Sequence, residues 1–155
     1  MKISNRIQYY LIEALTSVGR MKIKNKTFPE YNFMFNKLPE YSRVFRPHGF
    51  VNIQPLIPLR SGIGAIKNVF NLCHKFGFQP LMVGLKSHKS DNFMLSYSGE
   101  GYGFGCEVHL GRCNRDHLKN FSREMFQHIL DCDGRVYLAK DELLPRDIFQ
   151  KMFPR

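Results

Sequence analysis

GYGFGCEVHL, residues 101–110, alternates between two kinds of residue. Tyr102, Phe104, Cys106 and Val108 fall on one side, and Gly101, Gly103, Gly105, Glu107 and His109 fall on the other. A period of two is that of a β-strand with one face against a core. The opposite face lacks three side chains in a row. Glycine weakens a strand interior, and it marks either a bulged or sharply curved strand or the close approach of a ligand or another backbone. The GxGxG spacing is not a dinucleotide fingerprint, because it opens no strand-to-helix turn, and the chain has no GxxxxGK phosphate loop. Glu107 and His109 share the glycine face, so they are a candidate acid/base pair.

Working outward, GFVNIQPLIP (49–58) reads as a strand ended by Pro58. It places Phe50, Asn52 and Gln54 on one face and Val51 and Ile53 on the other. Ile63, Ile66, Val69, Phe70 and Cys73 recur at helical spacing before Gly77, which closes the helix. QPLMVGLKS (79–87) and FMLSYSG (93–99) read as two more strands. Asn114 or Asp116 caps a longer helix carrying Leu118, Phe121, Met125, Ile129 and Cys132, with Gly134 beyond its end. RVYLAKD (135–141) reads as the last strand, and Pro145 opens a final helix with Ile148, Phe149 and Met152 inward. Nearer the start, Ile7, Leu11, Ala14, Leu15 and Val18 describe an amphipathic helix, and a short helical turn is expected near Pro39 to Val44. The order predicts an α+β domain whose mainly antiparallel sheet is covered by helices on one face.

A chain of 155 residues with 43% hydrophobic and 14% aromatic residues supports one core. No run of 18 apolar residues occurs, and charges interrupt the first twenty residues, so neither a spanning helix nor a signal peptide is expected. A cytoplasmic protein follows. Cys73, Cys106, Cys113 and Cys132 lie far apart without a CxxC pair, which suits reduced thiols. His109, Cys113 and His117 are four apart, but Gly111 intervenes and no fourth ligand follows, so no metal site is assigned. The net charge of +10 favours an anionic partner, and much of the excess lies in residues 1–26. A non-catalytic basic module for nucleic acid or an anionic membrane surface is therefore one reading of the chain.

The other reading concerns chemistry. Asn52 and Gln54 can hydrogen-bond a ligand through both donor and acceptor, or they can face water. Lys86 and Lys140 each end an apolar run, where a strand delivers a charge to a pocket rim or lets it snorkel into solvent. Tyr137 and Lys140 are three apart, so both can line one site only if the strand bends or ends between them.

The ending GRVYLAKDELLPRDIFQKMFPR (134–155) resembles the C-terminal region of FAD-linked oxidases of the vanillyl-alcohol-oxidase type, and most of all the decaprenylphosphoryl-ribose oxidase group. That group has a Gly-Gly-Arg-hydrophobic-Tyr-x-x-Lys-Asp stretch followed by a helix ending in Met-Tyr-Pro; here Asp133 replaces the first glycine and Phe153 the late tyrosine. LPEYSRVFRPHGFVNIQPLIP (38–58) is similar to a second family segment through Pro47, Gly49, Phe50, Gln54 and Pro58, and it departs at Tyr41, Ser42, Phe45, Asn52 and Ile53. The resemblance implies that residues 28–155 form the substrate domain of a flavoenzyme, behind a basic helix and linker at 1–27. It implies Lys140 and Tyr137 as catalytic residues. Asn52, Gln54 and Lys86 would bind substrate, as would Gly103 and Gly105, which stand where the group has an asparagine and a cysteine; His88 replaces a pocket aromatic. It implies FAD as cofactor, held with a FAD-binding domain or subunit that this sequence does not contain. The expected substrate is a sugar or a lipid-phosphate-linked sugar, with peripheral membrane contact, and nucleic acid is not expected on this reading.

Overall fold

A computed structural model describes residues 46–93, 96–111, 113–140 and 143–154, together with residues 25 and 27–29. The chain divides into two units, Met1–Val44 and Phe45–Arg155. The expected first helix and the turn near Pro39 lie outside the described residues, and the sheet and its helices belong to the second unit.

Five strands form one sheet: β1 (Phe50–Ile53), β2 (Pro55–Pro58), β3 (Pro80–His88), β4 (Gly101–His109) and β5 (Arg135–Val136). Among the described residues three α-helices accompany them: α1 (Gly62–Lys75), α2 (Arg115–Asp131) and α3 (Arg146–Met152). The fold is α+β and every pairing is antiparallel. β4 is the hub, with β3 along one edge and β1 and β2 along the other, while β5 adds to the far edge of β2. Ile53 faces Cys106 and Leu56 faces Gly103, so one register runs through β1 and β2 although the ladder lapses at Gln54. The expected single strand is thus two segments of one line.

The register sends Ile53, Ile57, Phe104, Cys106 and Val108 to the same face, where all are buried. Side chains from all three helices meet them there. Ala65, Val69 and Cys73 of α1, Phe121, Met125, Phe126 and Ile129 of α2, and Ile148 and Met152 of α3 complete the core cluster. Phe70 stacks on Phe104 with ring centroids 5.6 Å apart, and Cys73 meets Cys106 with sulfurs at 4.0 Å. The contact with Cys73 and burial both push the Cys106 thiol up, so Cys106 stays protonated and packs as a small apolar group.

The caps explain the helix limits. Asn114 accepts the His117 N–H at 2.8 Å and starts α2, with Asp116 in the first turn rather than at the cap. Gly77, at φ 72°, closes the turn after α1, a left-handed conformation that glycine adopts without steric cost.

Three expectations are corrected. FMLSYSG is not a strand among the described residues, because Asp91 draws the chain into a turn: its carboxylate accepts the Phe93 N–H at 3.0 Å and the Ser96 hydroxyl at 2.8 Å. The last strand is only Arg135–Val136, since the Lys140 N–H bonds the Tyr137 carbonyl at 3.0 Å and turns the chain away. Phe149 is not inward but 37% exposed, stacked against Phe153 at the end of α3.

The glycines of β4 differ in what surrounds them. A Cβ on Gly101 meets the Ile57 carbonyl oxygen, whereas a Cβ on Gly105 meets nothing within 4 Å. Gly101→Ala is therefore expected to cost about 1–3 kcal/mol, and Gly105→Ala within about 0.5 kcal/mol of zero, in urea unfolding. Equal losses would mean that the strand edges are not packed as described.

Candidate functional site

The sheet face turned away from the helices gathers the polar residues. Cross-strand partners share a face. Asn52 lies opposite Glu107, and Lys86 lies opposite Gly103. Gly84 lies opposite Gly105. The Tyr137 N–H donates to the Gln54 carbonyl at 2.9 Å, which continues the β2–β5 register and sets Tyr137 beside Gln54. Asn52, Gln54, Lys86, Gly103, Gly105 and Tyr137, drawn from three strands, the residue between β1 and β2 and the residue after β5, thus occupy one face. Lys140 stands apart from them, exposed in the turn that follows Tyr137. The strand ends at Val136, before Tyr137, and the turn from Tyr137 to Lys140 releases the two residues from strict strand alternation.

One end of this face is covered by residues 96–99. The Gln54 side-chain N–H donates to the Tyr97 hydroxyl at 3.0 Å. The Tyr97 ring lies 5.0 Å from Tyr137 and 5.3 Å from His88. Arg135 reaches the Ser96 carbonyl at 3.4 Å, and Leu56 touches the position that a Cβ on Gly99 would take. The place of Tyr97 is not legible in the sequence, where FMLSYSG reads as a strand. The signal was Asp91, whose side chain commonly starts a turn.

The face is also unbalanced in hydrogen bonding. The Asn52 side-chain N–H donates to Glu107 Oε1 at 3.1 Å. Its Oδ1 is shielded from water and has no hydrogen-bond partner. His88 is similar: its Nδ1 lies 3.3 Å from the Ser98 hydroxyl, and its Nε2 is buried without a partner. That Nε2 sits 2.6 Å from where a Cβ on Gly103 would be. Gly103 is therefore the seat of an imidazole, while Gly105 and Gly84 leave open space among the described residues. A buried acceptor without a partner costs about 1–3 kcal/mol, so its retention points to a ligand or ordered water that supplies the missing bond.

Glu107 and His109 do share a face, but each has its own partner. Glu107 takes the Asn52 amide, and His109 Nδ1 accepts the Gly111 N–H at 3.1 Å. His117 Nε2 meets the Phe76 carbonyl at 2.9 Å and Cys113 meets the Asn114 carbonyl, so His109, Cys113 and His117 are each engaged elsewhere. Among the described residues no three His, Cys, Asp or Glu side chains gather as metal ligands, and no helix is long and apolar enough to cross a membrane.

Burial raises the Tyr97 phenol above its ordinary value, opposed by the Gln54 hydrogen bond and helped by Tyr137. A raised value means that the folded state holds the proton more tightly. Its contribution to stability is complete below pH about 10 and fades as pH climbs through the folded value. Tyr97→Phe should lower stability by about 1 kcal/mol at neutral pH and flatten the loss of stability above pH about 10, read by urea melts across pH. An unchanged alkaline slope would remove Tyr97 from the network.

No family model matches the chain.

Proposed function

We propose that this chain is the substrate domain of a FAD-dependent oxidoreductase that oxidises an alcohol, taken to be a sugar, and that it works together with a FAD-binding domain or subunit. The observation that carries the reading is the meeting of Asn52, Gln54, Lys86, Gly103, Gly105 and Tyr137 on one open sheet face. These positions are scattered over the sequence, and the resemblance assigns all of them to one pocket.

The residues fit the ring end of the cofactor. Among the described residues Gly105 and Gly84 leave a stretch of sheet without side chains, which suits a flat group. The diphosphate and adenosine contacts belong, on this reading, to the separate domain. When bound, FAD supplies the acceptor for the hydride that leaves the carbinol carbon.

The chain's own residues bind and orient the alcohol. Asn52 and Gln54 hold hydroxyls, and Tyr137 is braced by Tyr97 and presents its phenol at the face. Lys140 and Lys86, both exposed, supply positive charge where oxygen becomes more negative as its proton departs. The same charge suits a substrate linked to a lipid phosphate. The protein is then a cytoplasmic one, in peripheral contact with the inner face of the membrane.

The test is reconstitution: the chain is mixed with FAD, alone and with a FAD-binding domain of the same enzyme class, and the bound flavin spectrum is recorded. Flavin retained only with the second domain is the expected result. No retained flavin in either case, together with salt-sensitive nucleic-acid binding, would instead favour the basic module. In the reconstituted enzyme Lys140→Ala should lower kcat about a hundredfold or more with an unchanged melting temperature, because the side chain is exposed. Full turnover in that variant would place Lys140 outside the site.

A further inference from the structure

Arg135 shares the polar sheet face with Gly103 and Tyr137. It pairs with Leu56, and Leu56 pairs in turn with Gly103, so the three positions lie on one side of the sheet. Tyr137 is two residues further along the β5 line, with its Cα about 7 Å from that of Arg135. The side chain follows the same direction, because the guanidinium donates to the Ser96 carbonyl at 3.4 Å, in the segment that covers this face. That bond is long and takes one of the five N–H groups a guanidinium carries. Arg135 is exposed, so the others are accessible. Elsewhere in the domain Arg60, Lys75 and Arg123 each meet a carboxylate. Among the described residues Arg135 meets none, and neither does Lys86 on the same face. Glu107, the carboxylate of this face, lies four residues along β4 from Gly103 and takes the Asn52 amide there.

We infer that Arg135 is an anion-binding residue of this face and that the ligand is a sugar carrying a phosphate, with the phosphate on the guanidinium and a hydroxyl at Tyr137. The place of the phosphate stands on the register, whereas its part in substrate choice rests on the oxidoreductase reading. A guanidinium presents two parallel N–H groups that match two phosphate oxygens, and such charge-assisted pairs are stronger than a bond to a neutral carbonyl. A phosphate therefore displaces the Ser96 carbonyl from Arg135. The span from Arg135 to Tyr137 suits a small sugar, whose phosphate and hydroxyl are a few bonds apart. A neutral sugar forgoes the contact with Arg135 and binds through its hydroxyls alone.

The experiment uses the full chain and three probes, namely ribose, ribose 5-phosphate, and vesicles of phosphatidylcholine with phosphatidylglycerol. Sugar affinities are read from backbone amide shifts in NMR titrations, and vesicle binding from co-sedimentation. Ribose 5-phosphate should bind about tenfold more tightly than ribose. Arg135→Gln should remove that advantage and leave ribose unchanged, while Arg135→Lys should restore part of it. Arg123→Gln, which removes a paired charge of α2, should leave the advantage intact, and thermal melts establish that the variants are folded. Vesicle binding that weakens in Arg135→Gln together with the sugar phosphate supports a lipid-linked phosphate, and weakened sugar-phosphate binding alone supports a free one. Equal affinities for the two sugars, no binding of either, an unchanged advantage in folded Arg135→Gln, or an equal loss in Arg123→Gln each overturns the inference. An advantage that depends on Arg135, without flavin retention beside a FAD-binding domain, keeps this inference and removes the oxidoreductase reading. Retained flavin without the advantage does the reverse.

Discussion

The pairing of β4 with the line formed by β1 and β2 governs everything else in the described domain. Its register is unbroken from the Phe50–His109 pair to the Pro58–Gly101 pair. A slip of one residue would turn Phe104, Cys106 and Val108 out of the core and carry Glu107 into it. Burying that carboxylate among Phe121, Met125 and Ile129 would be prohibitive without a charged partner. The register is thus held by both faces at once, by apolar packing beneath and by the polar pairing of Asn52 with Glu107 above.

The helices reinforce this division without adding to the polar face. Their buried side chains enter a single cluster, and the exposed ion pairs Lys75–Glu124, Arg123–Asp147 and Arg60–Asp133 lie in well-solvated positions. Such pairs contribute little. Ser122, buried on α2, is satisfied by the Leu143 carbonyl at 2.5 Å. Stability resides on one side of the sheet, and unsatisfied hydrogen-bonding capacity on the other.

Much of this is legible in the residues. The alternation in GYGFGCEVHL separates the two faces of β4, and the Asn114 and Gly77 signals set helix ends within a residue or two. The face shared by Asn52 and Gln54 is legible also, but the strand that meets them is not, because pairing is decided between distant segments. In FMLSYSG and RVYLAKD apolar content suggests strands, yet side chain–backbone and local turn bonds prevail there. Phe149 recurs at a spacing that fits burial, yet α3 is only seven residues long and seats just Ile148 and Met152. Tyr97 cannot be assigned to a site from its neighbours in sequence, since its partners Gln54, His88 and Tyr137 come from three separate elements.

The fit of His88 over Gly103 has a consequence for how such a face can change over generations. The imidazole is held by Ser98 and Tyr97 and fills the space in which any larger residue at 103 would begin. The two positions are therefore a lock with an order of opening. An asparagine could arise at 103 only in a lineage where His88 had already been exchanged or released, whereas a change at 88 could come first at little steric cost. Among related chains, a side chain at the first position should always be accompanied by a different or displaced residue at the second.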